Sequence, residues 1–364
     1  MIVRKLVFFS FRNLTRTDIL PGERFNVFHG ANGQGKTNLL EAIYLLGTMK
    51  SFRHAKNRDL IRWNDQFSLL KAVVEKDGVS REVTLLIEKE GKKARVDRKA
   101  LERLSDFFGC LNVVVFSPEE LAMVKGQPEL RRRYLDRAVF AADPCYLTLH
   151  HDYSRVLRNR NALLRSGSWD GLDIWSDRLV ETGSRLVAKR LSWLDGMREL
   201  LQEFHEGIAG NGAKVDLVYR SVPGGAAAER KEYPHLLRMA LERLADEERR
   251  RGSTQAGPHR DDLEFLLDGR VLKQHASQGE QRSFILALKM AEIEYLHRLH
   301  GDPPVLLLDD MTSELDGKRN QNLLRFLEEK QMQVFITTTS LQNLMMGNQD
   351  NYRIFPVHEG KITH

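Results

Sequence analysis

The residues best suited to chemistry lie in short stretches far apart in the chain. The first is Gly30-Ala31-Asn32-Gly33-Gln34-Gly35-Lys36-Thr37, which fits the pattern G-x-x-x-x-G-K-[ST] in full. Phosphates need convergent backbone N–H groups, and side chains obstruct their approach. Gly30, Gly33 and Gly35 remove that obstruction and permit positive φ. Lys36 is spaced to reach β- and γ-phosphates, and the Thr37 hydroxyl suits Mg²⁺. Arg24–His29 reads as a strand, and Leu39, Leu40, Ile43 and Leu46 follow at helical spacing. The loop therefore opens a helix whose N-terminal partial charge favours an anion. A glycine turn that merely happened to precede Lys-Thr would need neither neighbour. The segment from Gly30 to Asn38 reads as the wall of a nucleotide's phosphate site.

The second stretch, "PPVLLLDDMTSELD" (303–316), is an apolar strand ending in two carboxylates. Asp309 at the strand end suits a Mg²⁺ ion held directly or through water. Asp310 is placed to orient or deprotonate an attacking water. In isolation this is a buried strand with an acidic turn; beside a phosphate loop it becomes the other half of a site. The third stretch is "ASQGEQRSFILALKMAEIEYL" (276–296). Ser277 and Glu280 form a capping box, and Phe284, Leu288, Ala291 and Tyr295 run down one helix face. Ser-x-Gly-Glu-Gln is similar to the signature motif of ABC-type ATPases. In those enzymes the capped helix end meets the γ-phosphate of a nucleotide held by another subunit. One phosphate loop and one signature helix per chain would make ATP the link in a head-to-tail dimer.

Around these stretches, 364 residues with 41% hydrophobic content suffice for a sizeable core. No apolar run approaches the ~20 residues that span a bilayer. "MIVRKLVFF" lacks the layout of a secretory signal and reads as a first strand. Cys110 and Cys145, the two cysteines, point to neither a disulfide framework nor a zinc cluster, and a reducing cytoplasm is the expected location. The net charge of +6 leans towards nucleic acid without requiring it. Strand patterns run over Ile2–Phe9, Phe25–Phe28, Ser68–Glu75, Arg81–Glu88 and Asn112–Phe116, with turn signals at Asp77-Gly78 and Glu90-Gly91. From about 120 to 250 the periodicity is helical. Leu172, Trp175, Leu179, Leu186, Leu191, Leu194, Leu201 and Phe204 form a drifting stripe with charges opposite. Gly210 to Gly225 reads as loop, 261–273 as a hairpin around Asp268-Gly269, and strands return at Val305–Leu308, Gln333–Thr337 and Arg353–Val357. The expected fold is α/β: a P-loop lobe of mixed sheet and helices from 1–120 and 300–364. A mainly helical second lobe, 121–299, is inserted and carries the signature helix.

The joint order of "FRN" (11–13), "GANGQGKTNLLEAIYLL" (30–46), "SFR" (51–53), "FSPEEL" (116–121), "RRRYLD" (131–136), "GPHRDDL" (257–263), "SQGEQR" (277–282) and "LLLDDMTSELD" (306–316) resembles the RecF family, relatives of the SMC proteins, over essentially the whole chain. The resemblance implies an ABC-ATPase-like fold. It also implies a bacterial cytoplasmic ATPase, slow and DNA-stimulated, that binds gapped or duplex DNA as an ATP-dependent dimer. Such a protein helps load RecA with RecR and RecO, without a membrane. By the same resemblance Lys36 and Thr37 take the Walker A roles, Asp309 the Walker B role, and Asp310 the place of a usual glutamate. Ser277 and Gly279 become contacts in trans, Ser313 to Asp316 the D-loop, and Arg12 an arginine near the nucleotide. Thr337–Thr339 stand where ABC transporters use histidine, and "FSPEE" has no Q-loop glutamine, so residues coupling the γ-phosphate to lobe movement stay unassigned. A chain of this length allows a short helical arm between Thr37 and Ser277 and no long coiled-coil rod.

Arg131-Arg132-Arg133, then Arg155, Arg158, Arg160 and Arg165, then Arg249-Arg250-Arg251, could neutralise phosphates without reading sequence. For any single one a solvated helix face is the simpler reading, and Arg133 or Arg137 could pair with Asp136. His259 reads as part of a structural turn, and His297 and His300 as surface. Rival readings are an ABC transporter subunit, the nucleotide-binding subunit of an ATP-dependent nuclease, and a small-molecule P-loop kinase. The absent switch histidine disfavours the first, the lack of further metal-ligand clusters the second, and the signature helix the third.

Overall fold

A computed structural model of the chain describes residues 1–101, 106–167, 169–223, 231–310, 316–341 and 351–362. It divides into two compact units, Met1–Glu120 with Leu296–His364, and Leu121–Tyr295. The first unit opens with β1 (Ile2–Phe11), β2 (Leu14–Ile19), β3 (Phe25–His29), α1 (Lys36–Thr48) and the short α2 (Asn57–Leu60). β4 (Phe67–Lys76), β5 (Val79–Glu88), β6 (Lys92–Val96), β7 (Lys99–Ala100) and β8 (Val113–Phe116) follow, and α3 (Pro118–Lys125) leads on. The second unit holds α4 (Pro128–Ala142), α5 (Tyr146–Ser166), α6 (Leu172–Ala209), β9 (Val215–Arg220), α7 (Tyr233–Arg243), α8 (Ala245–Arg251), β10 (Asp262–Leu267), β11 (Arg270–Val271), α9 (Leu272–His275) and most of α10 (Gln278–His300). The first unit resumes with β12 (Val305–Asp309), α11 (Gly317–Glu329), β13 (Val334–Thr338), β14 (Tyr352–His358) and β15 (Lys361–Ile362).

Among the described residues the first unit contains two sheets. One has the order β2-β1-β4-β5-β6-β7 and is antiparallel throughout. Its β4–β5 hairpin turns at Asp77-Gly78, where both residues have positive φ as a type I′ turn demands. The other has the order β15-β14-β3-β13-β12-β8, parallel except for the β14–β15 hairpin. β3, β12 and β13 are buried along nearly their whole length, as expected of strands covered on both faces. α1 packs between the sheets, and Leu39, Leu40, Ile43 and Leu46 join Phe8, Leu70, Leu85, Val115, Leu307 and Phe335 in one core.

A single amide ties the two sheets together. Gln333, just before β13 and 1% exposed, accepts from Val3 N of β1 at 2.8 Å and donates to Val3 O at 3.0 Å and Gly22 O at 2.7 Å.

In the second unit α5 and α6 pack side by side, and β9, β10 and β11 form a small antiparallel sheet. β9 corrects the loop expected from Gly210 to Gly225. Val215, Leu217 and Tyr219 alternate inward over six residues, and that alternation outweighs the flanking glycines. α10 also differs from a one-faced amphipathic helix. From Phe284 to Leu288 and on through Lys289 and Glu292 it is buried all round, with Lys289 Nζ paired to Glu292 at 2.9 Å. The charged face expected of α6 has an exception in Arg190. This buried residue donates to Asp136 (2.7 Å), Tyr219 Oη (2.9 Å) and Pro258 O (2.9 Å). No helix among the described residues is long and apolar enough to cross a membrane.

Gln333→Leu would strand three backbone groups inside the first unit. It should cost about 3 kcal/mol, since buried polar groups left unpaired cost ~1–3 kcal/mol each and part of the loss relaxes. A urea titration reads this; an unchanged midpoint would show that the amide contributes nothing.

Candidate functional site

The loop after β3 leaves the sheet between β13 and β14, the strands on either side of β3. Gly30 passes so close to β14 that a Cβ there would lie 2.3 Å from Val357 O. The requirement at Gly30 is thus for space, whereas Gly33 (φ 80) and Gly35 (φ 106) supply left-handed turns. Ala31, Asn32 and Gly33 form the exposed tip. Gly35 is the N-cap residue of α1, so the free amides of the first turn face the loop. Lys36 Nζ donates back to Gly30 O (2.7 Å) and Ala31 O (2.8 Å), spanning the loop. Burial pushes its ammonium below the usual lysine range, and Asp310 and Asp309 oppose that shift.

The loop is braced from two directions. Asn13 Nδ2 donates to Gln34 O at 3.2 Å, and Asn38 Nδ2 donates to Asn13 Oδ1 at 2.8 Å. From the β14–β15 turn, Gly360 N donates to Gln34 O at 2.8 Å and Glu359 N to Gln34 Oε1 at 2.6 Å. Gly360 has φ 73, and a Cβ on it would lie 2.3 Å from Asn13 O. Nothing in the local sequence marks this turn as part of the site.

β12 delivers Asp309 to the same place. Asp309 Oδ1 accepts from Thr37 Oγ1 at 2.8 Å and from Thr337 Oγ1 of β13 at 2.8 Å. Asp310 has φ 49, and its N–H donates to Thr337 Oγ1 at 3.0 Å. A hydroxyl and a carboxylate oxygen converging beside a phosphate loop are hard oxygen donors, so Thr37 and Asp309 fit Mg²⁺. Thr337 lies in the strand that carries threonines where ABC transporters use histidine, and the register sets it opposite Asp309.

Arg12 makes a two-point pair with Glu41 of α1, 2.9 Å at each contact, and Ser51 Oγ donates to the same carboxylate. Its φ of 54 and a 2.9 Å bond from its N–H to Leu60 O fix the backbone there. Its visible work is thus to hold the "FRN" segment, including Asn13, against α1.

Ser277 and Gly279 lie in the second unit. Ser277 N donates to Glu280 Oε2 at 2.7 Å and Glu280 N to Ser277 Oγ at 3.3 Å, so the capping box is present. These bonds hold the Glu280 carboxyl below its usual range. Ser277 is exposed at the helix start. Of the D-loop, Ser313, Glu314 and Leu315 lie outside the described residues; Asp316 caps α11 by accepting from Arg319 N at 3.0 Å.

The arginine candidates separate by burial. Arg131 is buried and pairs at two points with Asp262. Arg160 is buried against Glu248 (2.7 Å) and Thr254 (2.8 Å). Both are structural, which corrects their place among free phosphate contacts; a basic run does not reveal which members face an acid. Arg133 pairs with Glu129, and Arg132 donates to Asp261 O at 2.8 Å. Arg155, Arg158 and Arg165 of α5 and Arg249, Arg250 and Arg251 of α8 are exposed. His259 sits in the turn read for it, 2.6 Å from Tyr153 Oη; burial pushes its imidazole down to about 4, so it is neutral near pH 7. His297 and His300 are half-buried.

The brace from the β14–β15 turn generates a prediction. Gly360→Ala should push Asn13 and the turn apart and weaken nucleotide binding about tenfold, or about 1.4 kcal/mol, although residue 360 lies outside the glycine loop itself. Fluorescent-nucleotide titration would measure it; parental affinity would mean the turn is a passive neighbour.

The RecF/RecN/SMC N terminal domain model matches residues 2–363. The chain is 53% identical over 364 residues to the DNA replication and repair protein RecF of Geotalea uraniireducens (strain Rf4), covering 100% of each chain. It is 55% identical over 354 residues, 97% of each, to the protein of the same name from Geobacter sulfurreducens (strain ATCC 51573 / DSM 12127 / PCA). Among solved structures it matches the recombination mediator protein RecF-ATPrS in the RecFOR pathway with TM-score 0.90 and 31% identity, over 99% of this chain and 97% of that one. The Smc head domain from Pyrococcus furiosus matches at TM-score 0.54 and 14% identity, over 100% and 96%, a likeness of fold. With its mixed α/β architecture shared with these heads and its length shared with the curated proteins, the chain belongs to the RecF family.

Proposed function

We propose that the chain is an ATP-dependent DNA-binding protein of recombinational repair and replication restart, which uses slow, DNA-stimulated ATP hydrolysis as a switch. One observation carries the reading. Thr37, at the head of the helix behind the glycine loop, is hydrogen-bonded to Asp309 at the end of a parallel strand. A phosphate cradle and an acidic strand end thus meet at one point, as phosphoryl-transfer sites require. Solved relatives described with ATP or ATPrS support the nucleotide. Mg²⁺ held by Thr37 and Asp309 would supply charge neutralisation at the phosphates. Lys36 would bind the terminal phosphates, and Asp310 would orient the attacking water.

The exposed, capped start of α10 supports a contact in trans. In this reading Ser277 and Gly279 of one copy close over the ATP held by Gly30–Asn38 of a second, and ATP joins a head-to-tail dimer. DNA binds through exposed basic residues. The curated relatives' names and the RecFOR description of the solved ones support a repair role alongside RecR and RecO; in this reading the protein works in the cytoplasm and its action leads to RecA.

A mixing experiment tests the shared site. Ser277→Arg should block closure while leaving ATP binding by its own loop; Lys36→Arg should impair binding, because a planar guanidinium replaces a compact ammonium. Neither variant should dimerise with ATP. Their mixture can assemble one site from two intact halves, and some ATP-dependent dimer should return. A Ser277→Arg monomer that no longer binds ATP would overturn the trans arrangement.

DNA affinity should be electrostatic. Between about 50 and 200 mM salt it should fall by more than about tenfold, and unrelated duplexes should agree within about threefold. A strong preference among duplexes in a polarisation titration would refute sequence-blind binding.

A further inference from the structure

We propose that Thr337 is a positioning residue for Asp309 and Asp310, a role that rests on the ATPase reading above. β13 lies between the phosphate-loop strand β3 and the acidic strand β12, and its register sets Thr337 opposite Asp309. The side chain is buried. Its hydroxyl has one proton and two lone pairs, and both kinds of bond are used. It donates to Asp309 Oδ1 at 2.8 Å and accepts from Asp310 N at 3.0 Å. The same Oδ1 also receives the Thr37 hydroxyl, so two donors from different elements aim one carboxylate. The bond from Asp310 N holds the peptide that enters Asp310, itself at φ 49, a conformation that non-glycine residues adopt at some cost. One hydroxyl thereby fixes the direction of the metal-bearing group and the backbone turn that presents the water-orienting group. The neighbouring Thr338 does neither, because its hydroxyl donates to Ser340 O at 2.8 Å.

This is the position at which a strand between two halves of a site can make them act together. Val would keep the shape and the strand preference of Thr while removing both bonds. Ser would keep the bonds and lose the methyl. A packing role therefore predicts that Val is tolerated better than Ser, and a positioning role predicts the reverse.

The test uses the full chain and titrates Mg²⁺ against a fluorescent ATP analogue, with binding in EDTA as reference. Thr337→Val should bind the analogue in EDTA within about twofold of the parent. The Mg²⁺ concentration for half its metal-dependent response should rise about tenfold or more, the scale set by outer-shell partners of metal ligands. Thr337→Ser should stay within about threefold of the parent. Unfolding without nucleotide confirms that each variant is folded. A Val variant with the parental Mg²⁺ requirement overturns the proposal, as does a Ser variant as impaired as Val. If the parent itself bound no ATP analogue, the ATPase reading would fall, and the role of Thr337 with it.

Discussion

The pairing of Thr37 with Asp309 depends on three parallel strands ending at the same height. β3 leads into the glycine loop, β12 ends in the carboxylates, and β13 sits between them. A one-residue slip of β12 against β13 would turn Asp309 to the opposite face. The buried runs Val305–Asp309 and Val334–Thr338 oppose such a slip, because their side chains interlock with α1 on one side of the sheet. The site is thus specified by the register of a core, and its polar atoms inherit their spacing from apolar packing.

Around that centre, backbone rather than side chains does much of the bracing. Gly30 clears β14, Gly360 clears Asn13, and Gln34 is held by two amides of the β14–β15 turn. Such contacts resist deformation because main-chain atoms have no alternative rotamers. Arg12 and Glu41 extend the same frame, since a two-point ion pair to a buried carboxylate fixes the segment that carries Asn13. The second unit has its own anchor in Arg190, whose fork joins α4, the turn at Pro258 and β9. Removing one partner of such a buried pair is far costlier than never having formed it.

Much of this was legible in the sequence, wherever a local signal sufficed. The glycine pattern, the apolar run before Asp309, the Asp-Gly turns and the Ser277–Glu280 box each depend on residues within a few positions of one another. What escaped is non-local. Gly360 looks like an ordinary hairpin residue until its turn is laid on Gln34. Thr337 reads as a generic strand residue until the register places it opposite Asp309. Arg131 and Arg160 look like members of solvated basic runs, and their partners Asp262 and Glu248 are remote in sequence. β9 was hidden for a different reason, because glycines on both sides dominated a six-residue alternation.

The order β15-β14-β3-β13-β12-β8 has a consequence for synthesis of the chain. The glycine loop emerges from the ribosome early, yet both strands flanking β3 come from beyond residue 330. Until they arrive, β3 is an edge without neighbours, Asp309 lacks the Thr337 hydroxyl, and Gln34 has no turn to hold it. Long-range pairing of this kind closes late in folding. The nascent protein therefore passes through translation with a phosphate loop that is complete in sequence and unformed in space. The geometry of the loop is thus a property of the finished chain, and a product truncated before β13 carries the loop's residues without the strands that shape it.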